Sequence, residues 1–250
     1  MKLVLFSSIR SPLRLPVDHL VLFLLMLDVG LTFIHDEFEA AIASPDQLDR
    51  LLADGWRHFG THFYRYNLGF YREDIRRVIP LRIRVADFSL SKSQRRVLRK
   101  NADLKTIIRP TEITKETESL FHKHKQRFDH GVPDSIYDFL SLEPAIVPCE
   151  AKEVAVYKED ELVAVSYFDV GARSTSGIYA MFEPAERTRG LGIFTMLKEI
   201  EFSIESGRET YYQGYCYEGE SFYDYKKRFR GTECFDWNGN WRPFANVEVI

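Results

Sequence analysis

One order of elements, spelled between residues 151 and 250, constrains the fold of this chain more than its composition does. Residues 154–157 and 162–170 alternate apolar and polar side chains around the turn Lys158-Glu-Asp-Glu161, the pattern of a β-hairpin. Residues 176–182 give a third strand. Glu186-Arg-Thr-Arg-Gly-Leu-Gly192 then opens an amphipathic helix running to about Glu205, residues 210–216 give another strand, and residues 222–229 a short helix. In the turn, Arg187, Gly190 and Gly192 make an Arg-x-x-Gly-x-Gly spacing. Glycines here let backbone N–H groups converge at a helix N-terminus, where they can hold a phosphate or another anion. A tight strand-to-helix turn needs glycine for packing as well, so the spacing takes its meaning from its place after three strands.

Charge is the second constraint. The chain carries a formal −3, yet from Arg57 to Arg109 fourteen Lys/Arg stand against four Asp/Glu. A basic region in an acidic chain points to a polyanionic partner touched by that region alone. Its densest part is Ser91-Lys-Ser-Gln-Arg-Arg-Val-Leu-Arg-Lys-Asn-Ala-Asp-Leu104. Residues 92–101 read as a helix on which Val97 and Leu98 face the core while Lys92, Arg95, Arg96, Arg99 and Lys100 form a cationic ridge suited to phosphates.

With 45% hydrophobic and 14% aromatic residues the chain can bury a large core, which excludes a disordered protein. The three cysteines, Cys149, Cys216 and Cys234, are scattered without a Cys-x-x-Cys pair, so neither a disulfide framework nor a zinc site is expected. A reducing cytoplasm is the expected location. His122, His124 and His130 lie close together, but the first two point to different sides of a helix and no cysteine or carboxylate completes a set. No metal is expected.

Before the hairpin, Ser44-Pro-Asp-Gln-Leu-Asp-Arg-Leu-Leu-Ala-Asp-Gly55 reads as a short helix with an N-cap serine, proline at its first position and a terminating glycine. Residues 61–66 and 78–85 read as strands. In the second, Ile79, Leu81, Ile83 and Val85 alternate with Pro80, Arg82 and Arg84, which puts the arginines on one exposed face. Residues 114–130 and 133–142 read as helices. The first 35 residues place Lys2, Arg10 and Arg14 ahead of the apolar run Leu20-Val-Leu-Phe-Leu-Leu-Met-Leu27, which is too short to span a membrane. That run is either a buried element or part of an upstream mis-assigned start, with Met26 the initiator. The expected division is an extension over 1–40, a basic α+β lobe over 41–110, a helical connector over 111–150 and an α/β domain over 151–250 on which that lobe packs.

The order of the last domain resembles an acyltransferase of the GNAT type. The segments together resemble the arginyl-tRNA–protein transferase family, including its bacterial leucyl-transferring branch. The resemblance rests on Gly55-Trp-Arg-His-Phe-Gly60, Val78-Ile-Pro-Leu-Arg82, the Ser91 to Asp103 stretch, Ile178-Tyr179, Phe182-Glu-Pro184, Arg189-Gly-Leu-Gly192, Tyr212-Gln-Gly-Tyr215, and Tyr225-Lys226 with Phe229, and it covers roughly residues 45–245. One departure stands out. Where the family usually carries a cysteine cluster, this chain reads Tyr64-Arg-Tyr-Asn-Leu-Gly-Phe-Tyr-Arg-Glu-Asp-Ile75, so an iron–sulfur or haem site there is not expected.

The resemblance implies attack by the α-amine of a target protein on the ester joining an amino acid, arginine or leucine, to the 3′ end of tRNA. Such an amine, with a pKa of about 7.7–8.0, needs no strong base. Alignment and oxyanion stabilisation then carry the catalysis. Implied roles follow: tRNA contact for Lys92, Gln94, Arg95, Arg96, Arg99, Lys100, Arg189, Gly190 and Gly192, and hydrogen bonding to the ester or leaving hydroxyl for Tyr179, Tyr212 or Tyr215. Asp169 is a candidate for binding a cationic group, or a turn-initiating residue before Gly171. Trp56, Arg57, Tyr225 and Lys226 are candidates for binding substrate, Lys226 with Arg228 for an acidic acceptor side chain or a phosphate, or else part of a solvated face. Aminoacyl-tRNA is the co-substrate and no cofactor is expected. Two alternatives stay open: a coenzyme A–dependent N-acyltransferase, favoured by the Arg187-x-x-Gly190-x-Gly192 spacing, and a tRNA-binding protein without catalysis.

Overall fold

The computed structural model describes residues 33–128 and 131–244, so the expectations about residues 1–32 and His130 fall outside the described residues. In chain order the elements are β1 (His35–Glu39), α1 (Pro45–Ala53), β2 (Arg57–Phe59), β3 (His62–Tyr66), β4 (Leu68–Tyr71), β5 (Asp74–Arg84), α2 (Lys92–Lys100), β6 (Lys105–Pro110) and α3 (Lys115–Lys125). They continue with β7 (Ala151–Lys158), β8 (Glu161–Val170), β9 (Ser174–Phe182), α4 (Leu191–Glu205), β10 (Thr210–Tyr217), β11 (Thr232–Phe235) and β12 (Trp241–Pro243). Short 3-10 segments, Pro184–Arg189 and Phe222–Arg228, precede α4 and follow β10. The helix expected over residues 133–142 is only the 3-10 turn Ile136–Asp138.

Both early helices start on capping boxes. In α1 the Ser44 hydroxyl accepts from the Gln47 N–H while the Gln47 side chain accepts from the Ser44 N–H. In α2, Ser91 and Gln94 repeat this at 3.2 and 2.8 Å. The Gln94 side chain is thus taken up by the cap rather than displayed on the cationic ridge, and the residue is 4% exposed.

Nine strands make the main sheet, in the order β12-β11-β5-β10-β9-β8-β7-β6 with β4 paired to β5. β9 and β10 run parallel and the other pairs run antiparallel. A three-stranded sheet, β1-β3-β2, stands beside it. β5 comes from the basic segment, yet it lies between β10 and β11, and β6 closes the far edge. Strands from residues 41–110 and 151–244 thus share one hydrogen-bonded sheet. The expected exposed arginine face of β5 is also altered. Arg82 donates to Glu233 at 2.7 Å and lies 4.4 Å from the Trp241 ring centroid, because β11 and β12 cover that side.

Strand alternation divides the core between the two faces. Val154, Val156, Ala164 and Phe168 pack with Leu191 and Phe194 of α4, and Val97 and Leu98 of α2 join them. Ala155, Val165, Tyr167 and Met181 pack instead with Leu120 and Phe121 of α3. On α1, Asp49 accepts from the Ser174 hydroxyl at 2.5 Å and the Arg173 N–H at 2.8 Å, fixing the turn that leads into β9. Among the described residues no helix is long and apolar enough to cross a membrane.

Candidate active site

β9 and β10 pair over three residues only, Ser174 to Ser176 against Thr210 to Tyr212. β10 then bulges between Tyr212 and Gly214, where Gly214 takes φ +86°, and β9 bulges against β8 at Gly177 and Tyr179. Bulges bend strands. Past them β9 follows β8, β10 follows β5, and a gap opens between two parallel strands.

Arg57 of β2 enters that gap. One guanidinium nitrogen donates to the Ser176 hydroxyl at 2.8 Å and another to the Gly177 carbonyl. Beneath Gly177, the Tyr211 hydroxyl donates to the Glu199 carboxylate at 2.5 Å. A Cβ on Gly177 would stand 2.9 Å from the Tyr211 oxygen and 3.1 Å from Glu199, so the backbone approaches this pair as only glycine permits. Burial lifts the Glu199 carboxyl to about 7, against the hydrogen bonds and the Arg57 charge that pull it down.

Lys226, from the 3-10 segment after β10, donates to the Tyr215 carbonyl at 3.0 Å. Its Nζ and an Arg57 nitrogen lie 3.2 and 3.8 Å from the same point above Gly214. Burial first, and then the Arg57 charge, pull the Lys226 ammonium down to about 7. Tyr225 packs on the α4 side with Tyr211 and Phe229, its hydroxyl pushed up to about 12 by burial. The gap therefore holds the Arg57 guanidinium and the Lys226 amine side by side above a buried carboxyl.

The glycine turn adjoins the basic helix. Gly190, at φ +70°, caps α4. Arg189 is tied to Asp103 through two nitrogens at 2.9 and 3.0 Å and to Glu186 at 2.7 Å, so its charge is spent inside the fold. Lys100 donates to the Thr188 carbonyl at 2.6 Å and Asn101 to the Arg189 carbonyl at 3.0 Å, which docks the C-terminal end of α2 on the turn. Arg95 bonds the Leu90 carbonyl. Lys92, Arg96, Arg99 and Arg187 are exposed and make no ion pair among the described residues.

Of the residues singled out from sequence, Arg57 and Lys226 meet in the gap and Tyr225 lies beside it. The three tyrosines expected to carry the chemistry lie apart from it, for reasons of strand geometry. Tyr212 alternates to the opposite face from Tyr211 and packs on Leu48, Leu52 and Trp241. The Tyr215 hydroxyl donates to the Gly55 carbonyl at 2.6 Å, tying β10 to the turn before β2. Tyr179 stacks on Phe139 with centroids 4.0 Å apart. Trp56 sits between Phe38 and the Arg65 guanidinium. Asp169 is 1% exposed and its partner is internal: His58 Nε2 lies at 3.0 Å.

Glu199, Tyr211, His58 and Cys149 escape the sequence analysis. Glu199 had a signal, because it falls on the buried stripe of α4 with Thr195 and Ser203, four residues away on either side, where a carboxylate is out of place. Tyr211 differs from Tyr212 by one step of register, which sequence alone does not set.

A parallel strand pair that separates after bulges, joined through a glycine turn and a helix, defines a GNAT-like acyltransferase fold. A family model described as the C terminus of arginine-tRNA-protein transferase matches residues 114–236, and its N-terminus counterpart matches residues 28–96. The aspartate/glutamate leucyltransferase of Xylella fastidiosa (strain M23) is 31% identical over 205 residues, covering 78% of each chain. That of Stenotrophomonas maltophilia (strain K279a) is 29% identical over 204 residues, covering 78% of this chain and 79% of its own. Among solved structures, FemX is similar with a TM-score of 0.47 and 12% identity, over 87% of this chain and 73% of that one. The chain belongs to the arginine-tRNA–protein transferase family and is an aminoacyltransferase. Where the family carries cysteines, aromatic rings pack instead, Tyr64 and Tyr66 against Tyr215 and Tyr71 against Tyr217. Without thiolates this segment does not fit an iron–sulfur cluster.

Proposed function

We propose that this enzyme moves leucine from charged tRNA to the α-amine of proteins that begin with Asp or Glu, and that the gap between β9 and β10 is where the transfer occurs. The observation that carries this reading is the adjoining pair of Arg57 and Lys226. An acidic N-terminal residue offers a side-chain carboxylate that both cations can bind, whereas a basic residue would be repelled. The neutral α-amine attacks the ester carbonyl, a C–N bond forms, and the C–O bond to the 3′-terminal ribose breaks. Glu199, held near 7, is matched to take the proton the amine sheds, through Tyr211, and that proton ends on the leaving ribose hydroxyl.

The turn at Gly190 supplies N–H donors for the terminal nucleotide's phosphate, and the exposed face of α2 supplies cations for the tRNA backbone. Aminoacyl-tRNA is the only co-substrate in this reading, with no protein-bound cofactor, and the cytoplasm, where tRNA is charged, is the working location. The test is transfer of radiolabelled leucine or arginine from separately charged tRNAs to peptides beginning with Asp, Glu, Lys or Arg. Leucine appearing on the acidic peptides alone is expected. Transfer of arginine would reassign the donor, and tRNA binding without product from either tRNA would overturn the reading.

A further inference from the structure

His58 of β2, Cys149 in the segment before β7, and Asp169 of β8 place one nitrogen, one sulfur and one carboxylate within 4.8 Å of one another. All three are buried, at 5%, 5% and 1% exposure. The separations are 3.0 Å from His58 Nε2 to Asp169 Oδ2, 3.4 Å from Cys149 Sγ to Asp169 Oδ1, and 4.0 Å from Cys149 Sγ to His58 Nε2. Ligands bound tetrahedrally to zinc at about 2.0–2.3 Å stand roughly 3.2–3.6 Å apart; the nitrogen and the sulfur each stand near that spacing from one oxygen of the Asp169 carboxylate, His58 from Oδ2 and Cys149 from Oδ1, and a small rotation of the carboxylate would bring a single oxygen to both.

Local partners hold the set together. His58 Nδ1 lies 2.9 Å from the Gly60 carbonyl and Nε2 3.0 Å from the Asp169 carboxyl group, to which the Cys149 thiol donates. A divalent ion entering here would displace the thiol proton, and the thiolate and carboxylate would offset its charge, as burying an ion requires.

Two further features fit a metal. The Nδ1–H to carbonyl bond is the orienting contact that metal-bound histidines commonly make. A cavity of about 10 Å³, bordered by His58 and Asp169 but not by Cys149, lies alongside with room for about one water. We propose that His58, Cys149 and Asp169 form a zinc site that fixes β2 to β8 and so holds the neighbouring Arg57 in the gap. The mixed sulfur, nitrogen and oxygen donors suit zinc among the common divalent ions.

The experiment uses the full chain. Elemental analysis of protein purified without chelators should find about one zinc per chain. After the metal is stripped, adding Co²⁺ should give a thiolate-to-cobalt charge-transfer band and release protons in weak buffer. The band should vanish in Cys149→Ser, which keeps a hydroxyl to donate to Asp169 and is checked for folding by circular dichroism, and should persist in Cys216→Ser. Folded protein without zinc and without a cobalt band would overturn the proposal, as would a band that survives Cys149→Ser. If Cys149→Ser does not fold, the cobalt spectrum and proton release of the unmutated chain decide alone. None of these readouts depends on the transfer reaction.

Discussion

At the level of single residues, two buried groups carry opposite consequences for stability. Glu199 is raised from 4.5 to about 7 by burial, so between those values the unfolded chain has lost a proton that the folded chain keeps. Stability contributed by this group is full below 4.5 and is lost as pH rises through about 7. Glu199→Gln should flatten that slope and make the protein more stable above pH 7, by on the order of 1–3 kcal/mol, in thermal unfolding followed across pH, while slowing transfer. Lys226 runs the other way. Its ammonium is lowered from 10.5 to about 7, so its contribution is full above 10.5 and is lost as pH falls through about 7. A carboxylate arriving between Lys226 and Arg57 would recharge the lysine. Lys226→Met should therefore raise KM for Asp- and Glu-initiated peptides about 10- to 100-fold, the worth of one charge-assisted hydrogen bond, and leave KM for charged tRNA unchanged. An equal rise for both substrates would show that Lys226 does not read the acceptor.

At the level of elements, α2 shows what is legible in the sequence. Its span and its apolar pair Val97 and Leu98 follow from spacing, and the outer residues Lys92, Arg96 and Arg99 are exposed as that spacing requires. Gln94 and Arg189 depart from expectation for one reason: a polar side chain in a basic stretch looks available until its local partner is known, the Ser91 N–H in one case and Asp103 in the other. The hairpin of β7 and β8 is readable from alternation. The gap between β9 and β10 is not, because it depends on a parallel pairing between segments about 35 residues apart and on two bulges. Arg57 reaches the gap across a sequence separation of 119 residues to Ser176, which no local pattern records. The docking of α2 beside the glycine turn yields its own prediction. Reversing Arg96 and Arg99 to Glu should weaken tRNA binding and lower the slope of its salt dependence by roughly one unit for each phosphate no longer neutralised, leaving the melting temperature near that of the unmutated chain. Unchanged binding would assign the ridge to solubility alone.

At the level of the whole molecule, the main sheet decides how the chain comes apart. β5 pairs with β4, β10 and β11, so the basic segment supplies a strand without which β10 and β11 would each lack a hydrogen-bonded neighbour. Leu81 and Ile83 of β5 are buried at 1% and 0% exposure, and Ile83 packs with Met196, Leu197, Ile200 and Tyr211 from the helix and strand that frame the gap. Cutting the chain between residues 110 and 111 would expose those side chains and leave an unprotected strand edge beside β10, the kind of surface that aggregates. Neither half should therefore fold alone. The full chain should unfold in one cooperative step by both circular dichroism and tryptophan fluorescence, while residues 111–244 expressed without the first half should lack a cooperative transition and expose apolar surface to a dye such as ANS. A stable, cooperative 111–244 fragment would mean that β5 is an accessory strand, and the pocket assembled from Arg57, Glu199 and Lys226 would then be a contact between separable units. The shared sheet argues for the opposite: Arg57, on β2 of the small sheet, and Glu199, on α4, come from distant parts of the chain and meet at Gly177 and Tyr211, which lie on strands of the main sheet that β5 completes.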